Sequence, residues 1–270
     1  MRLPETASKE LPRGGIHPTA IVHPGAELGC DVSVGPYTII GDGVVIGDGT
    51  TIGASVMIEG QTFMGKGNVI YAGSILGNEP QDVKYKGEKT WLFIGDNNVI
   101  REYVTVSRGT AVGHGETRIG DGNRLMSFSH VAHDCQVGNN VTVMHGAGIA
   151  GHVSLGDGVT VGGFSGVHQF TKIGRMASVG AHSMVGKDVP PYVVVNGNPA
   201  RVHGVNVAAL CSYGLSREVR DEIKKAYKIL YKSSLNVSQA IEQMEHELQA
   251  SEEIDHFLRF LRNADRGICR

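Results

Sequence analysis

The densest run of side chains able to do chemistry is Ser127-Phe128-Ser129-His130-Val131-Ala132-His133-Asp134-Cys135. An imidazole with its ordinary pKa of about 6.5 suits proton removal at neutral pH. A carboxylate such as Asp134, or a nearby carbonyl, can fix its tautomer and raise its basicity. Further along stand Gly151-His152 and His168-Gln169. The chain has no Gly-x-Ser-x-Gly elbow, no P-loop and no G-x-G-x-x-G in a βαβ setting. Twelve histidines are present, and an outward histidine is commonly just solvated, so its neighbours must decide. Cys135 reads as a small buried thiol and not a nucleophile, because no helix N-terminus lowers its pKa.

The elements that must position these residues follow from one repeat. Aliphatic residues recur every sixth position from Ile16 to Leu76, from Ile94 to Val106 and from Ile119 to Val185. A period of six is neither helical nor simply alternating. It fits a β-helix of hexapeptide rungs, each a short strand and a turn. The 26 hexapeptides make between eight and nine three-sided coils. At about 4.8 Å per coil the prism is roughly 40 Å long. Residues eighteen apart then lie on adjacent coils. Val131 points inward, so His133 faces out, with Gly151 above it and His152 above Asp134. A glycine there leaves room for a substrate and a backbone N–H for an oxyanion.

The β-helix is expected over residues 16–195, after a lead-in at 1–15. Loops 77–92 and 107–118 break the register, and function often sits on such loops. Pro190-Pro191 is expected to close the ladder. From residue 196 the chain should be a small helical domain that caps the prism. Its helices carry Val219, Ile223, Ala226, Leu230; then Val237, Ile241, Met244; then Ile254, Phe257, Leu261. The 38 glycines and few aromatics suit a turn-dense solenoid. A net charge of −2 argues against a nucleic-acid binder. The first fifteen residues do not read as a signal peptide, and no apolar stretch is long enough to span a bilayer. The four scattered cysteines suggest free thiols in a reducing cytosol, hence a cytoplasmic protein.

Several segments together resemble the UDP-N-acetylglucosamine 3-O-acyltransferases. They are His130-Val131-Ala132-His133-Asp134-Cys135, Ala150-Gly151-His152, Val167-His168-Gln169-Phe170, Gln81-Asp82-Val83-Lys84-Tyr85, Ile100-Arg101-Glu102 and Asp188-Val189-Pro190-Pro191-Tyr192. The likeness runs from about Ile16 to the C-terminus. It implies an all-β left-handed parallel β-helix, a helical C-terminal domain and a homotrimer with sites between subunits. It implies transfer of an (R)-3-hydroxyacyl group from acyl carrier protein to the sugar 3-hydroxyl, the first step of lipid A synthesis. His133 would be the general base, Asp134 its support and Gly151 N–H the oxyanion donor. Asp82, Lys84, His130, His152, His168, Gln169 and Asn206 would position substrates. Ala181 lies where the family limits acyl length. No metal or organic cofactor is implied. Arg217, Arg220, Lys224 and Lys228 fall at spacings of three and four, a stripe for docking the acidic carrier protein or simply a solvated face.

One stretch departs from the family pattern. Members carry Asn-x-Glu-Gly-Leu followed by two basic residues; here Asn206-Val207-Ala208-Ala209-Leu210-Cys211-Ser212-Tyr213 keeps only the asparagine and leucine. Lost arginines bear on phosphate binding and leave open a 3-amino sugar nucleotide as acceptor. Other readings are a related N-acyltransferase, a non-catalytic β-helix that binds a sugar nucleotide, and a zinc carbonic anhydrase using His130, His133 and His152.

Overall fold

The computed structural model describes residues 14–270, so most of the expected lead-in lies outside the described residues. Short strands follow one another from Gly15–Ile16 to Met184–Val185, and each pairs in parallel with the strand one coil away. Three sheets of eleven, nine and eight strands form the faces of a left-handed parallel β-helix. Regular partners are eighteen residues apart, as in His130 with Gly148 and Val131 with Ile149. Across the first loop the offset grows to thirty, Gln61 with Trp91. Across the second it is 25, Thr105 with His130. Both loops therefore leave the sheets intact.

The inward column explains the cohesion. Ile40, Ile52, Ile58, Leu76, Ile100, Leu125, Val131 and Ile149 are all fully buried, each stacked on its equivalent one coil away. Full burial of such side chains stabilises by about 1.5–3 kcal/mol apiece. Corner residues take left-handed backbone, among them Asp134 (φ 59°), His152 (φ 62°) and Phe170 (φ 64°). Here three bulky side chains occupy the conformation glycine favours, so the corner displays them in one column.

The sheet runs past the expected end at residue 195. The paired prolines do not close it: Val193–Asn196 still pairs in parallel with Ser178–Val179, and Arg201–Val205 returns antiparallel. The turn between them, not the prolines, ends the parallel ladder. The helical part begins later than residue 196, with an unforeseen short helix α1 (Val207–Ser212) capped by Asn206. Helices α2 (Arg217–Lys232), α3 (Val237–Glu247) and α4 (Glu252–Arg262) start at the caps Ser216, Asn236 and Ser251. Their buried faces join Met176 and Tyr192 of the last coils in a second core with Ile223, Leu230, Met244 and Phe257. The C-terminal tail bridges back to Asp188 through Ile268. The domain thus covers the C-terminal end of the prism, where strand edges would otherwise be exposed. All four cysteines are free thiols, and no described helix is long and apolar enough to cross a membrane.

Candidate active site

Val131 ends a strand of the nine-stranded face, and Gln136 begins one of the eight-stranded face. His133 and Asp134 are the two turn residues between them. The next coil places Gly151 and His152 at the same corner, with the His152 N–H donating to the His133 carbonyl at 3.0 Å. A Cβ on Gly151 would lie 2.8 Å from His133 Nε2 and 2.7 Å from its Cε1. Only glycine lets the imidazole occupy this position. The expected vertical pairing is therefore present. The Gly151 N–H has no partner among the described residues.

Asp134 is fully buried and accepts from four donors. His133 Nδ1 donates to Oδ2 at 2.8 Å. Thr110 Oγ1 donates to Oδ2 at 2.7 Å, Thr110 N reaches Oδ1 at 3.1 Å, and His114 N donates to Oδ1 at 2.9 Å. Burial pushes this carboxyl up, but the bonds from His133 and Thr110 and the nearby His152 outweigh it and hold the pKa at about 2. An ionised Asp134 obliges His133 Nδ1 to carry the proton. Nε2 is then a free lone pair facing the space beside Gly151.

His152 stacks on Phe170 with centroids 4.4 Å apart and meets His133 edge-on at 5.1 Å. Burial lowers its pKa against the pull of Asp134. His130 Nδ1 bonds Thr105 Oγ1 at 2.7 Å; burial and the neighbouring His133 lower its pKa too. Both flanking imidazoles are thus held toward the neutral form. Cys135 is fully buried, its thiol bonded to the Ala150 carbonyl, and burial pushes it up to about 12. It is no nucleophile.

Two clefts meet at this corner. One, of about 510 Å³, runs over the nine-stranded face and is mostly apolar; it holds His130, His133, Gly151, His168 and Gln169. The other, of about 590 Å³, is lined by more charged side chains, among them Asp82, Lys84, Lys172 and Arg266, together with His114 and His152. The loop at 77–92 straddles them, with Gln81 in the first cleft and Asp82 and Lys84 in the second. Arg108 secures that loop by donating to the Gly77 carbonyl at 2.8 Å and to Tyr85 OH at 2.9 Å.

His133, Asp134 and His152 present ligand atoms close enough together for a metal ion. The donor set argues against one. Both Asp134 oxygens are already occupied by N–H and O–H donors.

Within the chain, two expected site residues, Asn206 and Ala181, lie away from this corner. Asn206 caps α1 by accepting from Ala209 N at 3.3 Å, and its amide donates to the Met176 carbonyl at 2.8 Å. Both of its side-chain groups are thus spent on joining helix to prism. Ser212 and Tyr213 end the same helix, with Tyr213 packed over Gly158. Ala181 sits at the next corner, beside His182, whose N–H reaches the Gly163 carbonyl; it does not line the cleft of His133. The basic stripe on α2 is real but tempered. Asp221 pairs with Lys224 at 2.8 Å and Arg217 at 3.8 Å, Arg220 lies against Cys211, and Lys228 is exposed.

The corner joins an imidazole tied to a buried carboxylate, a bare amide and two clefts, and comparison with known proteins identifies what such a prism belongs to. The hexapeptide-transferase model matches residues 25–60, 116–151 and 134–169. The model described as UDP N-acetylglucosamine O-acyltransferase, domain 2, matches residues 188–269. A protein of Thermodesulfovibrio yellowstonii named acyl-[acyl-carrier-protein]–UDP-N-acetylglucosamine O-acyltransferase is 46% identical over 94% of this chain and 99% of its own length. The chain belongs to this O-acyltransferase family. A relative of the same name from Halorhodospira halophila is 47% identical over the same shares. The solved LpxA of Acinetobacter baumannii superposes with a TM-score of 0.92 at 43% identity, covering 94% of this chain and 99% of that one. Membership of this family bears out the fold class and the acyltransferase activity expected from the sequence.

Proposed function

We propose that this chain transfers an (R)-3-hydroxyacyl group from acyl carrier protein to the 3-hydroxyl of UDP-N-acetylglucosamine, the first step of lipid A biosynthesis, with His133 as general base. His133 Nε2 takes the hydroxyl proton as the sugar oxygen attacks the thioester carbonyl. The Gly151 N–H receives the oxyanion of the tetrahedral intermediate. The intermediate collapses, the C–S bond breaks, and the proton passes from His133 to the departing thiolate. Asp134 keeps Nδ1 protonated and steadies the imidazolium formed midway. No metal or organic cofactor takes part.

The polar cleft with Asp82, Lys84 and His114 takes the sugar nucleotide, and the apolar cleft takes the acyl chain. His130, His168 and Gln169 border the latter. The stripe Arg217, Lys224 and Lys228 docks the acidic carrier protein. The protein acts in the cytoplasm as a homotrimer. In support of a trimer, one corner exposes a column of rings: Tyr37, Tyr103, Phe128 and Phe164 are each more than half exposed. Contiguous apolar surface of this kind marks an interface.

The observation that carries this reading is the bare Gly151 above an imidazole whose other nitrogen is tied to a buried carboxylate. The His133→Ala protein should lose about 10²–10⁴-fold in transfer rate while still binding UDP-N-acetylglucosamine in calorimetry. Full transfer by that protein would refute the assigned base. Offering the 3-amino analogue alongside the 3-hydroxyl sugar settles the acceptor.

A further inference from the structure

The eight-stranded face carries a groove that acyl transfer does not use. Its outward column reads Phe63, Phe93, Arg118, Gln136, Ser154, Lys172, one residue per coil. Beside that column runs a second, glycine on every coil from Gly65 to Gly174. The neighbouring corner forces this: a Cβ on Gly120 would lie 2.5 Å from Asn139 Oδ1 and 2.8 Å from the Gly138 carbonyl oxygen. The bare floor makes a cleft of about 870 Å³. It crosses six coils, about 24 Å at coil spacing. Helix α4 closes its C-terminal end with His256 and Phe260. Toward the other end Phe63 and Phe93 stack at 5.3 Å, and the Arg118 guanidinium lies 4.2 Å over the Phe93 ring.

Two observations say what such a groove takes. Among the described residues its lining holds Arg118, Lys172 and Arg175 and no carboxylate. Their partners Glu116, Asp265 and Glu252 stand outside the lining, and Asp265 and Glu252 are mostly exposed. Ion pairs of that kind hold weakly. At the α4 end, Arg175 Nε and His256 Nε2 are buried with no hydrogen-bond partner among the described residues. Buried polar atoms left so are costly and call for a ligand that satisfies them. The nearby Asp157 is committed to the Asn139 N–H at 2.7 Å. A negatively charged acceptor with a long apolar body fits both ends of the groove.

We propose that this groove binds one long-chain fatty acid: the carboxylate meets Arg175 and His256 under α4, and the chain runs over the glycine floor toward the Phe93–Phe63 stack. The eight-stranded face lies opposite the corner with the exposed ring column, so a trimer assembled on that column leaves the groove open. Ser154 and Lys172 line both this groove and the cleft of Asp82 and Lys84. The acid is thus held on the outer side of the same wall that borders the reacting corner, and not in the cleft beside His133.

The test is calorimetry on the full-length protein with tetradecanoate below its micellar concentration. One molecule should bind per chain. Arg175→Gln removes the contact to the carboxylate and should weaken binding at least about tenfold. Gln136→Trp fills the groove midway and should do the same, while the protein still transfers acyl groups at the wild-type rate. Tetradecylammonium, of equal length and opposite charge, should bind at least about tenfold more weakly than the acid. Tetradecanoate that binds equally well to the wild type and to both variants would overturn the site. Displacement of the acid by 3-hydroxyacyl carrier protein would place it beside His133 and overturn the site as well. Equal binding of the ammonium would refute the role of Arg175. Wild-type protein that binds no acid would end the proposal, whatever its transfer activity.

Discussion

Two corners of the prism share one backbone and differ in what they do with it. At the corner between the eight- and eleven-stranded faces, the first turn residue is Asp96, Asp121, Asn139 and Asp157 on successive coils. Each side chain accepts from the N–H of the coil below: Asp96 N to Asp121 Oδ1 at 2.7 Å, Asp121 N to Asn139 Oδ1 at 2.8 Å, Asn139 N to Asp157 Oδ1 at 2.7 Å. At the corner of the site the same positions are His133, Gly151 and Gln169. Gly151 has no side chain, and the Gln169 side chain makes no bond to Gly151 N–H. The amide that one corner spends on stability is left unpaired at the other. An unmade hydrogen bond of this kind costs stability; here it leaves free the donor that the proposed mechanism gives to the oxyanion.

The sharpest way to break the comparison is at Asp134. Asp134→Asn replaces an acceptor with an amide that can donate to Nδ1 and so favour the wrong tautomer of His133. Transfer should fall by about 10²-fold or more, with UDP-N-acetylglucosamine binding retained in calorimetry. Wild-type turnover would show that the carboxylate does not set the tautomer.

Gln169→Asn converts the working corner toward the structural one. A shorter amide at that position can accept from Gly151 N–H as Asn139 does from Asp121 N–H. The expected result is a slower chemical step by about 10²-fold, read in single-turnover kinetics, in a protein with an equal or higher melting temperature. A lower melting temperature with full activity would separate the two corners after all.

Thr110 holds Asp134 from the loop and lines neither cleft. Thr110→Val should cost about tenfold and move the acid limb of the kcat/KM pH profile. Thr110→Ser should restore both. A uniform loss at every pH, unrescued by serine, would mark Thr110 as merely structural.

The same groups set an acid sensitivity. Burial leaves His130 and His152 with folded pKa values below their open-chain 6.5, so the unfolded chain binds more protons just below that pH. Their contribution is fully present above pH 6.5 and declines as pH falls beneath it. Asp134 adds a second, lower window. Its stabilisation is complete above its open-chain value of 3.8 and is lost as pH falls through about 2. Denaturant midpoints should decline from neutrality downward, less steeply in His130→Gln protein; a flat profile would contradict the burial of these imidazoles. The mildest expectation belongs to the structural corner. Asn139→Ala removes one side-chain bond to Asp121 N–H and should cost about 1 kcal/mol in denaturant unfolding, without altering transfer.

What the sequence made legible follows the period. Eighteen-residue counting placed Gly151 over His133 because no insertion lies between them. The same arithmetic applied to His130 reaches Gly148, Gly166 and Met184, so the floor of the cleft beside His133 was open to inspection in the sequence. Thr110 and His114 were not. They lie in a loop that stretches the offset to 25, where counting gives no contact, and their bonds to Asp134 depend on how that loop folds back. Asn206 carries a second signal beside the resemblance. An asparagine before Val207-Ala208-Ala209 is a helix cap by its own chemistry, a local signal outweighed by the resemblance. The paired prolines misled, since a chain can pass through them and resume pairing one face on.

Chemical rescue tests the central claim most directly. In the His133→Ala protein, a cavity opens beneath Gly151 beside an intact Asp134. Added imidazole should restore acyl transfer in proportion to its neutral form, with no effect on wild type. Transfer at the wild-type rate without imidazole would contradict His133 as the base.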